Sequence, residues 1–253
     1  MAEAAGLNAA NPERAVASAA GNTVHHPSAL RNRIPILKQL MSLLPEATTG
    51  HALEIASSTG AHIEVFAPAF PSLTWHPSEY VPPTPASAEE QWPKYGKVGQ
   101  RVVSDELLNI DAHGSAVFSN VVPAVALDLM QPYGQWPASI RALEGQFTLV
   151  ILSNTLHITP WECSVGLFNG AAKLLSSGGK LVVYGPFKVD GKFVGADGGA
   201  NNEKFDEKLR STNESWGIRD VDDLKAVAAP LGLELQSQAD MPANNLTLTF
   251  VKQ

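Results

Sequence analysis

The segment Ala52-Leu53-Glu54-Ile55-Ala56-Ser57-Ser58-Thr59-Gly60-Ala61-His62 restricts this chain more than any other. An apolar run that ends in an acid and passes into a turn of small residues reads as a buried strand. The turn is small enough for a nucleoside to lie against its backbone. Twenty-five residues after Glu54, Glu79 closes a second run that opens with Leu73-Thr74-Trp75. A small-residue turn after the first strand and an acid after the second is the general grammar of nucleoside binding in doubly wound α/β proteins. A glycine is expected at position 58, where a serine stands.

The remaining pattern extends that reading. His51 to Ala56 is the first strand, His62 to Phe70 a helix, and Leu73 to Trp75 opens the second strand. Ala124 to Leu129 reads as a third strand ending near Asp128. The continuous apolar run Phe147 to Ser153 reads as a strand buried on both faces. Glu162 to Leu175 is expected to be helical, with Gly178-Gly179 ending it, and Lys180 to Tyr184 is a fifth strand. Val221 to Leu231 is a helix, Leu233 to Gln238 is extended, and Leu246 to Val251 alternates as an antiparallel edge strand. Before all of these, Ile34 to Leu44 suits one helix face, with Pro35 in its first turn and Pro45 stopping it. A further helix is expected over Ser104 to Ile110, and Met241 to Asn245 reads as a tight turn.

Strands alternating with helices imply a mostly parallel sheet in a three-layer α/β sandwich. Ligands of such sheets bind beyond the carboxyl ends of the strands. Glu54 to Gly60, Glu79, Asp128, Asn154 to His157 and Gly185 to Phe187 all fall there. Residues 1–23 show little apolar periodicity and are expected to form a flexible arm. Residues 24–253 are expected to form one domain, with a Pro-rich insertion around 77–104, where Pro77, Pro82, Pro83, Pro85 and Pro93 exclude a long regular element.

Composition narrows the function classes. A chain of 253 residues with 44% hydrophobic content can bury one large core. A formal charge of −7 argues against a nucleic-acid surface. One cysteine, Cys163, excludes an internal disulfide and any multi-cysteine metal site. No apolar run is long enough to span a membrane, and the start lacks the features of a secretory signal, so a soluble cytoplasmic protein is expected. There is no His-Glu-x-x-His and no Cys/His spacing, so no metal site is expected.

The residues also resemble a known family. Glu54-Ile55-Ala56-Ser57-x-Thr59-Gly60-x-His62, followed by Trp75-x-Pro77-Ser78, is similar to the opening of the methyltransferase-like 26 family, a class I S-adenosylmethionine-dependent group. Further blocks follow in order: Arg31-Asn32 before Pro35-Ile36-Leu37, Leu127-Asp128 before Gln131-Pro132, and Asn154 with His157-Ile158 and Pro160-Trp161-Glu162. Gly166-Leu167-Phe168, Tyr184-Gly185-Pro186-Phe187, Phe205-Asp206, Trp216 to Asp220 and Met241 to Asn245 complete the series. The similarity covers residues 25–253. Ser58 and Glu79 depart from it, a glycine and an aspartate being usual.

The resemblance implies a seven-stranded, Rossmann-like methyltransferase sheet with an antiparallel C-terminal strand, and S-adenosylmethionine as cofactor. Glu54, Ala56, Ser58, Thr59, Gly60 and Asn154 would line the cofactor. Glu79 would accept from both ribose hydroxyls, Asp128 from the adenine amino group, and Leu129 would offer its amide to the ring. Arg31 would meet the cofactor carboxylate. Each has a plainer alternative: a capping carboxylate for Glu54, a solvated acid for Glu79, an N-cap for Asp128, a surface residue for Arg31. His157 is the catalytic candidate, with ordering of its loop as an equal alternative. His25, Tyr184, Phe187, Trp216 and Arg219 are placed on the acceptor side, where aromatics could equally be core.

The expected activity is methyl transfer to a small-molecule acceptor by in-line displacement. The alternatives are a methyltransferase fold repurposed as a cyclase, isomerase or lyase, with the cofactor absent or non-reactive, and a non-catalytic interaction protein. Expected partners are a small-molecule substrate and no nucleic acid or membrane, with a homodimer left open. A positive φ at Ser58 would mean a strained turn, and Ser58→Gly would then tighten the cofactor.

Overall fold

The computed structural model describes residues 25–82 and 104–253. The expected arm and most of the Pro-rich insertion lie outside the described residues.

Seven strands form one sheet in the order β3-β2-β1-β4-β5-β10-β9. They are β1 (Gly50–Ile55), β2 (Leu73–Glu79), β3 (Val125–Ala126), β4 (Phe147–Ser153), β5 (Leu175–Gly185), β9 (Leu233–Met241) and β10 (Asn245–Lys252). β4 pairs in parallel with β1 and β5, while β10 runs antiparallel to both β5 and β9. Six strands therefore run one way and the penultimate position is reversed, which is the topology of class I methyltransferases.

β4 has the expected bounds because its run Phe-Thr-Leu-Val-Ile-Leu-Ser is buried from Leu149 onward, with neighbours on both sides. β10 was expected at an edge and is interior. Its Leu246, Leu248 and Phe250 are buried, and so are Thr247 and Thr249 on the alternate positions. Alternation in the sequence came from threonines that tolerate burial, and the edge is β9.

By contact density the chain falls into two compact units, one running to Thr49 and from Ser57 to Leu127, the other Gly50–Ala56 with Asp128–Gln253. The first contains α1 (Pro27–Leu43), α2 (Ile63–Ala69), β2, α3 (Ser104–His113) and β3. Helix α1 starts seven residues earlier than expected. Pro27 occupies its first turn and the His26 ring accepts from the Ser28 amide, so the start is capped. Pro35 is consequently inside the helix, which continues because only one helical bond is lost there.

β2 also runs past Pro77, against expectation. Trp75 bridges Val121, but Ser78 pairs Val125, so the facing chain carries one extra residue opposite Pro77. A bulge at that point removes the need for the amide that proline lacks.

The second unit adds α4 (Ala138–Arg141), α5 (Trp161–Leu174), α6 (Ala200–Thr212) and α7 (Val221–Ala228). It also holds a small sheet of β6 (Phe187–Val189), β7 (Lys192–Phe193) and β8 (Arg219–Asp220). Gly178-Gly179 do not end α5. The helix passes directly into β5 at Leu175, and the glycines form a bulge where the β4 pairing jumps from Leu175 to Lys180. A Cβ on Gly179 would stand 2.9 Å from the Phe147 carbonyl oxygen.

The turn between β9 and β10 has Ala243 and Asn244 at φ 61° and 57°, the left-handed pair of a tight hairpin. Among the described residues, no helix is long and apolar enough to cross a membrane.

Candidate functional site

In the first unit the turn after β1 is held by main-chain bonds rather than by glycine. The Ser57 amide donates to the Ser78 carbonyl at 2.8 Å, and the Gly60 amide to the Ser57 carbonyl at 2.9 Å. Ser58 is exposed with φ 53°, and Ala56 has φ 58°. Both are non-glycine residues in the left-handed region, so the strained geometry considered for position 58 is the one present. Gly60 needs its missing side chain twice, for φ 76° and because a Cβ would lie 3.3 Å from the His113 Cβ.

Glu79 ends β2 and is bonded to this turn. Its Oε2 accepts from the Ser58 amide at 2.6 Å and its Oε1 from the Tyr80 amide at 2.9 Å.

Thr59 is buried, and its hydroxyl lies 2.9 Å from His25 Nδ1. The other nitrogen of His25 faces Glu64 Oε1 at 3.2 Å. His113 Nδ1 meets the same oxygen at 2.5 Å, and Arg33 donates to Glu64 Oε2 at 2.9 Å. Burial pushes the Glu64 carboxyl up, but the hydrogen bonds and charges of His25 and His113 outweigh it and hold it below the usual value. His25, placed by sequence on the acceptor side, is thus committed to a polar cluster. Arg31 is exposed on α1, whereas Asn32 and Arg33 are buried, with Asn32 Oδ1 2.9 Å from His62 Nε2. The basic residue that points inward is therefore Arg33.

In the second unit, Glu54 is buried on β1 and Asn154 follows β4 with φ 53°, its amide donating to the Tyr184 carbonyl. Asp128 accepts from the Met130 amide at 2.8 Å and the Gln131 side chain at 3.4 Å, in a local turn with no helix starting from it. Leu129 is buried after β3 and lies close to α5, where a Cβ at Gly166 would stand 1.9 Å from the Leu129 carbonyl oxygen.

His157 is 7% exposed, and burial together with the Arg219 charge pushes its pKa down to about 4. Its ring stands edge-on to Phe205 at 5.4 Å and its carbonyl accepts from the Gly217 amide. Arg219 donates to the carbonyls of Thr159 and Ser215 and lies over the Trp161 ring, with its Nε buried and unbonded. Burial pushes the Cys163 thiol up to about 11, so it is protonated at neutral pH, as a packed residue.

Tyr184 and Phe187 are buried, the Tyr184 hydroxyl accepting from Asn245. Trp216 belongs to a core cluster with Leu209 and Ile218, against which Ile158, Phe193 and Phe205 pack. For Trp216 the packing alternative describes its surroundings.

The strand order, the acid-terminated first strands and the turn between them define a class I methyltransferase fold. Residues 23–252 match the model of the family described as "Protein of unknown function (DUF938)", and the chain belongs to that family.

Among solved structures, the chain is similar to an O-methyltransferase family protein from Burkholderia thailandensis, with TM-score 0.60 and 16% identity over 89% of this chain and 57% of that one. It is also similar to TnmH, with TM-score 0.56 and 15% identity over 89% and 56% of the two chains. CalO1, a methyltransferase in calicheamicin biosynthesis solved in its SAH-bound form, gives TM-score 0.55 and 12% identity over 87% and 55%. The chain thus spans little more than half the length of these proteins, and at these identities the likeness is one of fold.

Proposed function

We propose that this protein transfers a methyl group from S-adenosylmethionine to a small-molecule acceptor, and that within its family it belongs with the methyltransferase-like 26 group whose motif order it shares. The observation that carries the reading is the Glu79 carboxylate at the end of the second strand, bonded to the Ser58 amide of the turn, where such folds place the acid that meets a ribose. The first unit's share of the cofactor site is then Ser58, Thr59, Gly60 and Glu79. In the second unit Glu54, Ala56, Asp128, Leu129 and Asn154 are assigned to the cofactor on the resemblance.

The fold of the solved methyltransferases supports the reading. When bound, the cofactor supplies a methyl group on a sulfonium. That methyl would pass to the acceptor in exchange for a proton, with Ser58, Thr59, Gly60 and Glu79 among the residues that would hold the cofactor. Holding acceptor and methyl in line is the chief contribution asked of the protein.

An imidazole with pKa about 4 is unprotonated at pH 7 but a weak base. We therefore assign His157 to positioning the segment after β4, through Gly217 and Phe205. The test is calorimetry with S-adenosylmethionine and S-adenosylhomocysteine, with EDTA present. One site per chain is expected, weakened at least tenfold in Glu79→Gln. Binding of neither compound overturns the proposal, and binding without a methylated product from any acceptor class points to the repurposed fold.

A further inference from the structure

The cluster below Thr59 has more polar atoms than its hydrogen bonds use. His25 stands immediately before α1, Glu64 lies in the first turn of α2 and His113 ends α3. One ligating atom from each lies within 4.8 Å of the other two. The side chains of all three are at most 9% exposed. Two imidazoles converge on a single oxygen, Glu64 Oε1, while His113 Nε2 is buried and bonded to nothing. A buried nitrogen without a partner costs about 1–3 kcal/mol. A clamp of hydrogen bonds accounts for both nitrogens of His25, which meet Thr59 and Glu64, but not for a second imidazole on the same oxygen with its outer nitrogen unused.

We propose that His25, Glu64 and His113 form a binding site for a first-row divalent cation, with zinc the best match to the ligand set. Two imidazoles and one carboxylate, with a further position for water, is a known zinc set. The surroundings supply two of the three ligands with the outer partner that metal ligands take from their neighbours. The Thr59 hydroxyl holds the His25 nitrogen that faces away from Glu64, and Arg33 holds the second oxygen of Glu64 and leaves Oε1 as a single ligand atom.

The geometry needs adjustments of about 1 Å, including closure of the two imidazoles, whose ligand atoms lie within 4.8 Å, toward tetrahedral spacing. Bonds of about 2.1 Å in a tetrahedron put ligand atoms about 3.4 Å apart. His25 and Glu64 are already at 3.2 Å, and His113 must withdraw by about 1 Å from its 2.5 Å contact. Arg33 sets the strength. With its charge beside the carboxylate, the cation meets a site with no net negative charge, and affinity in the micromolar range is expected rather than the far tighter binding of thiolate sites.

The test uses the full chain, tag removed and stripped with EDTA, without S-adenosylmethionine, so that its result is independent of the cofactor reading. Co(II) is titrated by absorbance and Zn(II) by calorimetry. One saturable equivalent is expected, with the visible bands of a low-coordinate Co(II) that Zn(II) abolishes. His25→Gln, at a position ahead of the helix, should weaken Zn(II) at least tenfold, and Zn(II) should raise the Tm of the wild type but not of this variant. Absence of saturable uptake by the wild type overturns the proposal. So does equal uptake by the wild type and a folded His25→Gln/His113→Gln variant.

Discussion

Replacing Ser58 with glycine separates two consequences of a strained turn. Ser58 has φ 53°, with its amide held by Glu79. A residue with a Cβ in this region is disfavoured by about 1–2 kcal/mol. Glycine relieves that but loses about 0.5–1 kcal/mol of chain entropy on folding. The net gain is about 0.5–1 kcal/mol. For a domain of this size 1 kcal/mol moves Tm by about 2–4 °C, so Ser58→Gly should melt about 2 °C higher.

The main-chain bonds of the turn and the Glu79 carboxylate hold Ser58 in this geometry, so relief of the strain is counted in folding. The dissociation constant for S-adenosylhomocysteine should therefore change less than threefold, which revises the simpler expectation that glycine tightens the cofactor. Ala56→Gly, at φ 58°, should gain a similar amount. Asn154→Gly should gain less, since asparagine tolerates φ 53° better. Scanning calorimetry with and without ligand reads all three. A Ser58→Gly chain that melts no higher, yet binds tenfold tighter, would show that the strain arises only on binding and refute the reasoning.

Three further outcomes follow from the second unit. His157 has a folded pKa of about 4 against an ordinary 6.5, so the unfolded chain binds the proton first; stability is lost as pH falls from about 6.5 through about 4, by about 3 kcal/mol in all. Urea midpoints at pH 7 and pH 4.5 should show a smaller acid loss in His157→Asn. Gly170→Ala places a Cβ 2.0 Å from the Trp136 ring and should cost about 1–3 kcal/mol, seen as a lower Tm. Asp206→Ala leaves the Ile218 amide, now bonded at 2.5 Å, without its acceptor and should cost about 1–3 kcal/mol. Arg210→Ala, which breaks only the half-exposed ion pair to the same carboxylate, should cost under about 1 kcal/mol, and equal losses in the two variants would contradict this division.

The sheet was legible because burial writes itself into sequence. β4, α5 and α7 were found nearly to the residue, since each carries a run or stripe of apolar side chains. Helix α6 was missed because only Leu209 is both apolar and buried on it. It is held by polar bonds instead: Asn202 donates to the Val194 and Asn244 carbonyls, and Asp206 accepts from the Ile218 amide. No periodicity records such contacts. The short strands β6, β7 and β8 were missed for a related reason, since two or three residues are too few to show a period.

At the candidate site, the turn and Glu79 were visible because they follow consecutive strands. The cluster of His25, Glu64 and His113 was not, because its members lie 39 and 49 residues apart on three elements and match no spacing motif. That Arg31 is exposed while Arg33 is buried was not visible either. With the start of α1 misplaced toward Ile34, nothing showed which of the two faced inward.

The edge at β9 bears on how the sheet ends. Glu234, Gln236, Gln238 and Asp240 are exposed at alternate positions along it. A second sheet docking there would have to bring strand backbones together beside two carboxylates and two amides that now keep their water. Polar residues at every second step thus act as a terminator for strand addition, holding the sheet at seven strands and turning self-association away from this border.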